Sequence, residues 1–128
     1  MAAIARKIGK WSMIIIATIS LLAFVPWGFI AGDLMARLDL ARGNSKILVY
    51  GLPVPWREQG VSILHNRYRV EMKPIAGCVV SQWTMNFARG YNAVSEAAIT
   101  ARVGHDVIDE SLEEARIDWQ RTHPRDGR

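Results

Sequence analysis

The chain has 128 residues and a mass of 14.4 kDa, a length that allows one modest domain or at most two. Half of the residues are hydrophobic and 22% are charged, which excludes a disordered chain. The single cysteine excludes a disulfide-stapled mini-protein and a zinc site built on two cysteines of one chain. The net charge of +4 comes largely from residues 1–10, because residues 33–128 carry 13 basic and 12 acidic side chains. This distribution predicts no nucleic-acid partner.

Residues 11–32 form a run of 22 consecutive positions without a charge. As a helix, this run would be about 33 Å long, enough for the roughly 30 Å hydrocarbon core of a lipid bilayer. Trp11 and Trp27 lie near its two ends, as interfacial aromatic residues do. A cleaved signal peptide is the alternative, but the run exceeds a signal core in length and no small-x-small cleavage site follows it. The sequence therefore predicts a transmembrane helix over 11–32.

The flanks of this run predict its orientation. Arg6, Lys7 and Lys10 precede it within a short segment, whereas basic and acidic residues alternate after it. The positive-inside rule then places residues 1–10 in the cytoplasm and the rest of the chain on the other side. In a Gram-negative source, the chain would be a single-pass protein of the bacterial inner membrane, with its C-terminal domain in the periplasm.

A row of small residues, Gly28, Gly32 and Ala36, repeats every four positions at the end of the apolar run. Such a row lets two helices approach closely, so it predicts a helix-packing face and, through it, a homodimer. The alternative is that glycine is simply frequent near the ends of membrane helices.

The next segments predict a linker and two strands. Residues 33–45 extend the helix and then link it to the domain, while KILVY at 46–50 is a compact apolar run typical of a buried strand. Residues 56–66 are compatible with a short helix. Apolar and charged residues alternate over 67–73, which predicts a strand with one buried face.

Two helical stripes follow. The first, over 81–103, consists of Trp83, Phe87, Tyr91, Val94 and Ala98; the second consists of Ile108, Leu112, Ala115 and Trp119. Gly104 suits a C-cap and Asp106 an N-cap, and residues 122–128 are expected to form a flexible tail. The patterns together predict an α+β fold: one N-terminal transmembrane helix, then a small domain over 46–121 with two or three short strands packed by an α-helical hairpin.

Few residues suggest chemistry. Cys78 is a lone thiol among apolar neighbours, which favours burial over reactivity, and no spacing joins it to His65 or His105. Trp56 is a candidate anchor for a partner or a plug of the core. Tyr91 suggests a core tyrosine whose hydroxyl is bonded at the core edge. No catalytic, phosphate-binding or metal-binding motif is found, so the sequence predicts no cofactor, no metal and no enzyme.

These observations favour a non-enzymatic membrane protein whose small periplasmic domain contacts other proteins, as an accessory or assembly component of an envelope complex. Its expected partners are the lipid bilayer, a membrane or envelope protein and a second copy of the chain. Two alternatives remain open at this point: a membrane-anchored ligand-binding or sensor module, and a thiol enzyme that uses Cys78.

Overall fold

The computed structural model describes residues 13, 15–19 and 27–124. Residues 13 and 15–19 are helical. From residue 27 onward the elements follow in the order α1 (Trp27–Ala41), β1 (Lys46–Tyr50), α2 (Arg57–Tyr68), β2 (Glu71–Ala76), α3 (Gln82–Val103) and α4 (Val107–Thr122). The α+β class is therefore correct, but the arrangement of the elements differs from the prediction in three respects.

The first difference concerns the strands, which form a parallel pair joined through α2. Lys46 of β1 lies opposite Glu71 of β2, and the register shifts by one residue near Tyr50. The strand predicted over 67–73 begins later than expected because α2 continues to Tyr68. Arg69 ends this helix in the left-handed region, with φ 57°. The side-chain alternation is thus real only from Val70 onward, and the preceding residues belong to the last turn of a helix.

The two edges of the sheet are closed in different ways. On β1, the backbone N–H of Leu48 donates to Oδ1 of Asn92 at 2.8 Å, and Nδ2 of Asn92 donates to the carbonyl of Leu48 at 2.8 Å. This side chain of α3 therefore takes the place of a neighbouring strand. On β2, Pro74 has no backbone N–H and so cannot donate a hydrogen bond to a further strand. Proline in a sheet is found on edge strands such as this one.

Two apolar clusters lie on opposite faces of the sheet. One contains Ile47 and Met72 of the strands and is completed by Leu64, Val70, Ile99 and Val107. The other contains Leu48 of β1 and is completed by Ala36, Ala88 and Tyr91. The alternation of Ile47 and Leu48 along β1 explains this division, because successive side chains of a strand point to opposite faces. Helix α3 contributes to both clusters.

The helix boundaries in the second half of the chain confirm the caps predicted at Gly104 and Asp106, and the structure adds an N-cap at Ser81. Oγ of Ser81 accepts from the backbone N–H of Thr84 at the start of α3, and Gly104 ends that helix with φ 96°. Oδ1 of Asp106 accepts from the N–H groups of Ile108 and Asp109 at the start of α4. Local hydrogen bonding thus determines where both helices begin.

The second difference concerns the predicted α-helical hairpin, which is wrong. Helices α3 and α4 are consecutive, but α3 packs along α1 and beside β1, whereas α4 packs on α2. Leu112 of α4 lies over Gly60 of α2, where a Cβ atom would come within 2.8 Å of its Cδ2. Arg67 of α2 and Glu114 of α4 form a bidentate ion pair with N–O distances of 2.8 and 3.1 Å. Each helix therefore buries its stripe against a partner that is distant in sequence.

The third difference concerns the transmembrane helix predicted over 11–32. Much of that range lies outside the described residues, and among the described helices none has the length and apolar character needed to cross a bilayer. Residues 27–32, predicted as the end of the span, instead form the first turns of α1, which continues to Ala41 and packs on α3. The prediction of a transmembrane helix is contradicted by this finding.

The predicted location depended on the same helix and is corrected with it. A single-pass inner-membrane protein with its N-terminus in the cytoplasm and a periplasmic domain requires a membrane-spanning helix, which the described part of the chain does not contain. The predicted N-terminal segment, residues 1–10, lies outside the described residues. Residues 33–41, predicted as an extension and linker, belong to α1 and bring Ala36 into the core.

Candidate interaction surfaces

The small residues Gly28, Gly32 and Ala36 line one side of α1, here called the inner face, and all three are buried. This face lies against α3 of the same chain. A Cβ atom on Gly28 would be 2.9 Å from the carbonyl oxygen of Trp83, and one on Gly32 would overlap the carbonyl oxygen of Phe87. The sequence pattern therefore produces a close helix contact, but its partner is α3, and a dimer through this face would require α3 to leave.

Helix α3 meets the inner face with a glycine of its own. A Cβ atom on Gly90 would overlap the carbonyl oxygen of Phe29. Glycines of α1 therefore contact the backbone of α3, and a glycine of α3 contacts the backbone of α1. Progressing along α1 from Gly28 to Gly32 moves the contact along α3 from Trp83 to Phe87, so the two helices run in the same direction. Close backbone approach of this kind holds α1 firmly to the domain.

Tyr91 and Asp39 join the same two helices further along. The Tyr91 side chain is buried, and its hydroxyl donates to Oδ2 of Asp39 at 2.7 Å, which confirms the core tyrosine predicted from the sequence. This hydrogen bond lowers the pKa of Asp39, and Nζ of Lys46 lies 3.7 Å from the same oxygen. Burial, followed by the hydrogen bond to Asp39, raises the pKa of Tyr91 above its usual range.

The opposite side of α1, here called the outer face, carries large apolar side chains that remain exposed. Their exposed fractions are 57% for Trp27, 47% for Ile30, 59% for Leu34 and 44% for Leu38. These residues follow at intervals of three or four positions and so form one stripe. Trp83, at the start of α3 and beside Gly28, is also 57% exposed. Contiguous exposed apolar surface of this kind is typical of an interaction site.

One ion pair borders the outer face. Nε and Nη2 of Arg37 donate to the carboxylate of Asp33 at 2.8 and 3.2 Å, one turn apart on α1. The hydrogen bond from Arg37 lowers the pKa of Asp33, so both groups are charged at neutral pH. Both side chains lie on the same flank of the apolar stripe, since they are four residues apart.

A second concave surface, here called the strand-end groove, lies beyond the carboxyl ends of β1 and β2. It has a volume of about 720 Å³ and is lined by Gly51, Pro53, Val54, Pro55, Arg57, Glu58, Pro74, Ala76 and Gly77. Leu52 and Val79 protrude from the two loops at this end, with exposed fractions of 72% and 90%. The carboxyl ends of parallel strands are a frequent position for ligand sites in α/β proteins.

Trp56 does not project freely from the strand-end groove. Its ring lies 5.8 Å from that of Trp119, which in turn stacks on His123 at 4.7 Å. Trp56 and Trp119 are both half-buried, so the pair joins the start of α2 to the end of α4. Trp56 belongs to neither of the two buried apolar clusters, so this contact is not the core plug considered from the sequence, and its role as an anchor for a partner stays a prediction.

Cys78 lies in the loop between β2 and α3 and is exposed, so the burial favoured by its apolar neighbours is wrong. The histidines lie elsewhere. His65 lines a small cavity with Gly43 and Lys46 at the opposite end of the strands, and His105 pairs with Glu110 at 2.7 Å. The geometry therefore gives Cys78 none of these imidazoles as a neighbouring base.

The acidic start of α4 holds no described metal site. Across the described residues, no group of three histidine, cysteine, aspartate or glutamate side chains is placed to hold a metal ion. Asp106 instead caps α4, as the sequence pattern indicated.

Comparisons of the chain with protein-family models, with curated proteins and with solved structures found no match. The surfaces themselves must therefore indicate the function.

Proposed function

We propose that this chain is a non-enzymatic interaction domain that presents the outer face of α1 to a protein partner. The observation that supports this function is the division of α1 into two sides. The inner face is filled by α3, while Ile30, Leu34 and Leu38 remain 44–59% exposed on the other side. A helix that has already buried one face does not need further apolar side chains for folding, so those on the outer face serve another contact.

The position of α1 in the fold favours this function. A binding surface gains affinity when it is held rigid before the partner arrives, because less conformational freedom is lost on binding. The glycine contacts with α3 and the Tyr91–Asp39 hydrogen bond fix α1 on the domain. Trp27 and Trp83, one at the start of each of the packed helices, supply the aromatic surface that is enriched at binding hot spots.

Site-specific photo-crosslinking of the full chain in its native cells tests this function. A benzophenone amino acid at Leu34 is expected to capture one discrete protein, whereas the same group at Ser62, exposed on α2, captures none. The captured protein, once identified and purified, should bind the chain directly, and Leu34→Glu should reduce that binding at least tenfold. Equal capture from both positions, or binding unaffected by Leu34→Glu, would contradict the proposal.

The strand-end groove favours a second candidate function, the binding of a small apolar ligand. Its volume of about 720 Å³ falls within the range of ligand sites, and Arg57 and Glu58 lie among proline and valine side chains. The amphiphilic dye anilinonaphthalene sulfonate is a suitable probe because it combines an apolar ring system with an anion. Saturable fluorescence that Val54→Asp abolishes and Leu34→Glu leaves intact would support this function; absence of saturation would exclude it for this class of ligand.

A further inference from the structure

The spacing on the outer face of α1 matches the seam of a two-helix pair. Trp27, Ile30 and Leu34 lie three and four residues apart, which corresponds to three successive core positions of a heptad. Leu38 borders this seam. A stripe with this repeat fits the ridges of another helix better than it fits an extended peptide or a globular pocket.

The size of the stripe suits a dimer. The exposed parts of Trp27, Ile30, Leu34, Leu38 and the neighbouring Trp83 together offer on the order of 500 Å² of apolar surface. Two copies packed face to face would then bury about 1,000 Å², the lower limit for a specific interface. The outer face therefore reaches this limit only together with Trp83 of α3, which lies beside Gly28 at the same end of the helix pair.

The position of Asp33 and Arg37 on one flank distinguishes an antiparallel from a parallel arrangement of the two copies. In an antiparallel pair with its twofold axis at Leu34, both copies place Asp33 and Arg37 on the same flank of the seam. Arg37 lies about 4.5 Å beyond the axis, and Asp33 of the other copy lies about 1.5 Å beyond it on the same side. The remaining separation of about 3 Å along the helix is within reach of a guanidinium group. A parallel pair would place the two charged flanks on opposite sides.

We propose that two copies of this chain associate antiparallel through the outer faces of their α1 helices, with Arg37 of each copy paired to Asp33 of the other. This inference rests on the proposed function and names the partner. It differs from the dimer predicted from Gly28, Gly32 and Ala36, because α3 already occupies that face. Exchange of the Asp33–Arg37 pair between the copies conserves both ion pairs.

Sedimentation equilibrium of the full chain under reducing conditions measures the oligomeric state. We expect a dimer that Leu34→Glu converts to a monomer, since each dimer would bury two unpaired carboxylates at the axis. Val79→Glu is the matched control, because Val79 is 90% exposed and lies far from α1 in the loop before α3. A wild-type monomer at all concentrations, or equal dissociation by both variants, overturns the proposal.

Cysteine crosslinking tests the orientation in a Cys78→Ser background. Leu34→Cys is expected to form an interchain disulfide with itself, whereas Ile30→Cys forms one only when mixed with Leu38→Cys. In the antiparallel pair, the two copies of residue 30 are separated by about 12 Å along the axis, which is too far for a disulfide. Efficient self-linking of Ile30→Cys would instead indicate a parallel pair and overturn the proposed geometry.

A charge exchange tests the predicted contact between copies. Arg37→Asp should raise the dimer dissociation constant about tenfold or more, and adding Asp33→Arg should restore it, because the exchanged charges are again complementary. Failure of the second substitution to restore affinity would overturn the assigned pairing.

The combined results separate this inference from the proposed function. A monomeric chain whose Leu34 crosslinks a different protein overturns self-association and supports the interaction function. A monomeric chain that crosslinks nothing through Leu34 overturns both.

Discussion

At the scale of single residues, the amide of Asn92 has an unusual structural role. It supplies both a donor and an acceptor to Leu48, at 2.8 Å each, and so completes the hydrogen bonding of β1 at its outer edge. Asn92→Ala would leave the partly buried N–H and carbonyl of Leu48 without this partner. We expect the free energy of unfolding to fall by about 2 kcal/mol.

Urea denaturation of purified Asn92→Ala checks this value. Asn66→Ala is the matched control, since Asn66 is exposed and its amide donates to Oγ of Ser62, one turn earlier on the same helix. Its effect should stay within about 0.5 kcal/mol. If the two alanine variants lose equal stability, the amide of Asn92 does not have the stabilising role that the geometry assigns to it.

The Tyr91–Asp39 hydrogen bond predicts how stability depends on pH. It lowers the pKa of Asp39 in the folded chain, so the associated stability is complete above the unfolded pKa of about 3.9 and is lost as the pH falls through the folded value. Tyr91→Phe removes the hydrogen bond and should flatten the decline in unfolding free energy between pH 5 and pH 2 (approximate limits set by that unfolded value). Tyr50→Phe, at an exposed tyrosine, should retain the decline.

The same pair predicts an effect at alkaline pH. Because the pKa of Tyr91 is raised in the folded chain, only the unfolded chain releases this proton near pH 10 (approximate). Wild-type stability should therefore fall as the pH rises above that value, and Tyr91→Phe should lose less. An identical alkaline decline in both proteins would show that Tyr91 does not contribute.

At the scale of the elements, the contact between α1 and α3 depends on the absence of side chains. Alanine favours a helix interior by about 1 kcal/mol over glycine, so propensity alone predicts that Gly32→Ala and Gly90→Ala stabilise the chain. Their Cβ atoms would instead overlap the backbone carbonyls of Phe87 and Phe29. We expect each substitution to cost more than about 2 kcal/mol, because backbone atoms cannot move aside without separating the helices.

Thermal unfolding followed by circular dichroism compares these variants with Gly77→Ala. A Cβ on Gly77 meets no atom of the described residues within 4 Å, so this variant should unfold near the wild-type temperature. A higher unfolding temperature for Gly32→Ala would mean that the gain in helix propensity exceeds the cost of the added Cβ atom. The backbones of α1 and α3 would then not be as close at Gly32 as the structure places them.

The helix contacts also show which information the sequence contains. The caps at Gly104 and Asp106 and the strand at 46–50 were predictable, because they depend on neighbouring residues. The small-residue row of α1 correctly indicated close packing, but a glycine pattern does not specify its partner. Likewise, the apolar stripe of α4 predicted that one side of this helix is buried. It did not predict that Leu112 would pack on Gly60 of α2.

The candidate surfaces were less predictable than the helices. In the sequence, the outer face of α1 is indistinguishable from the rest of a continuous apolar run, and only the burial of the inner face shows that α1 has two distinct sides. Asn92 offers no local signal, since its hydrogen bonds reach a residue 44 positions away. Cys78 lies two residues after Ala76, the last residue of β2. Its exposure depends on the path of the loop that follows the strand, and the apolar residues beside Cys78 do not determine that path.

At the scale of the whole molecule, the structure makes α1 an integral part of the domain. The sequence placed the domain boundary at residue 46, yet Ala36 belongs to the same buried cluster as Leu48 and Tyr91. A fragment of residues 46–121 would expose the side of α3 that contains Gly90, and it would lose the partner of the Tyr91 hydroxyl. Small domains have little stability to spare, so this loss should prevent cooperative folding.

Urea unfolding of two fragments tests this boundary. Residues 27–124 contain both apolar clusters and should unfold in one cooperative transition, whereas residues 46–121 should show a broad transition with a much smaller dependence on urea, because less surface becomes exposed. Leu34→Glu in the longer fragment is the control, and it should preserve cooperativity because Leu34 lies on the outer face. A sharp urea transition of residues 46–121 would show that the domain folds without α1, since the remaining elements would then be sufficient to form a cooperative core.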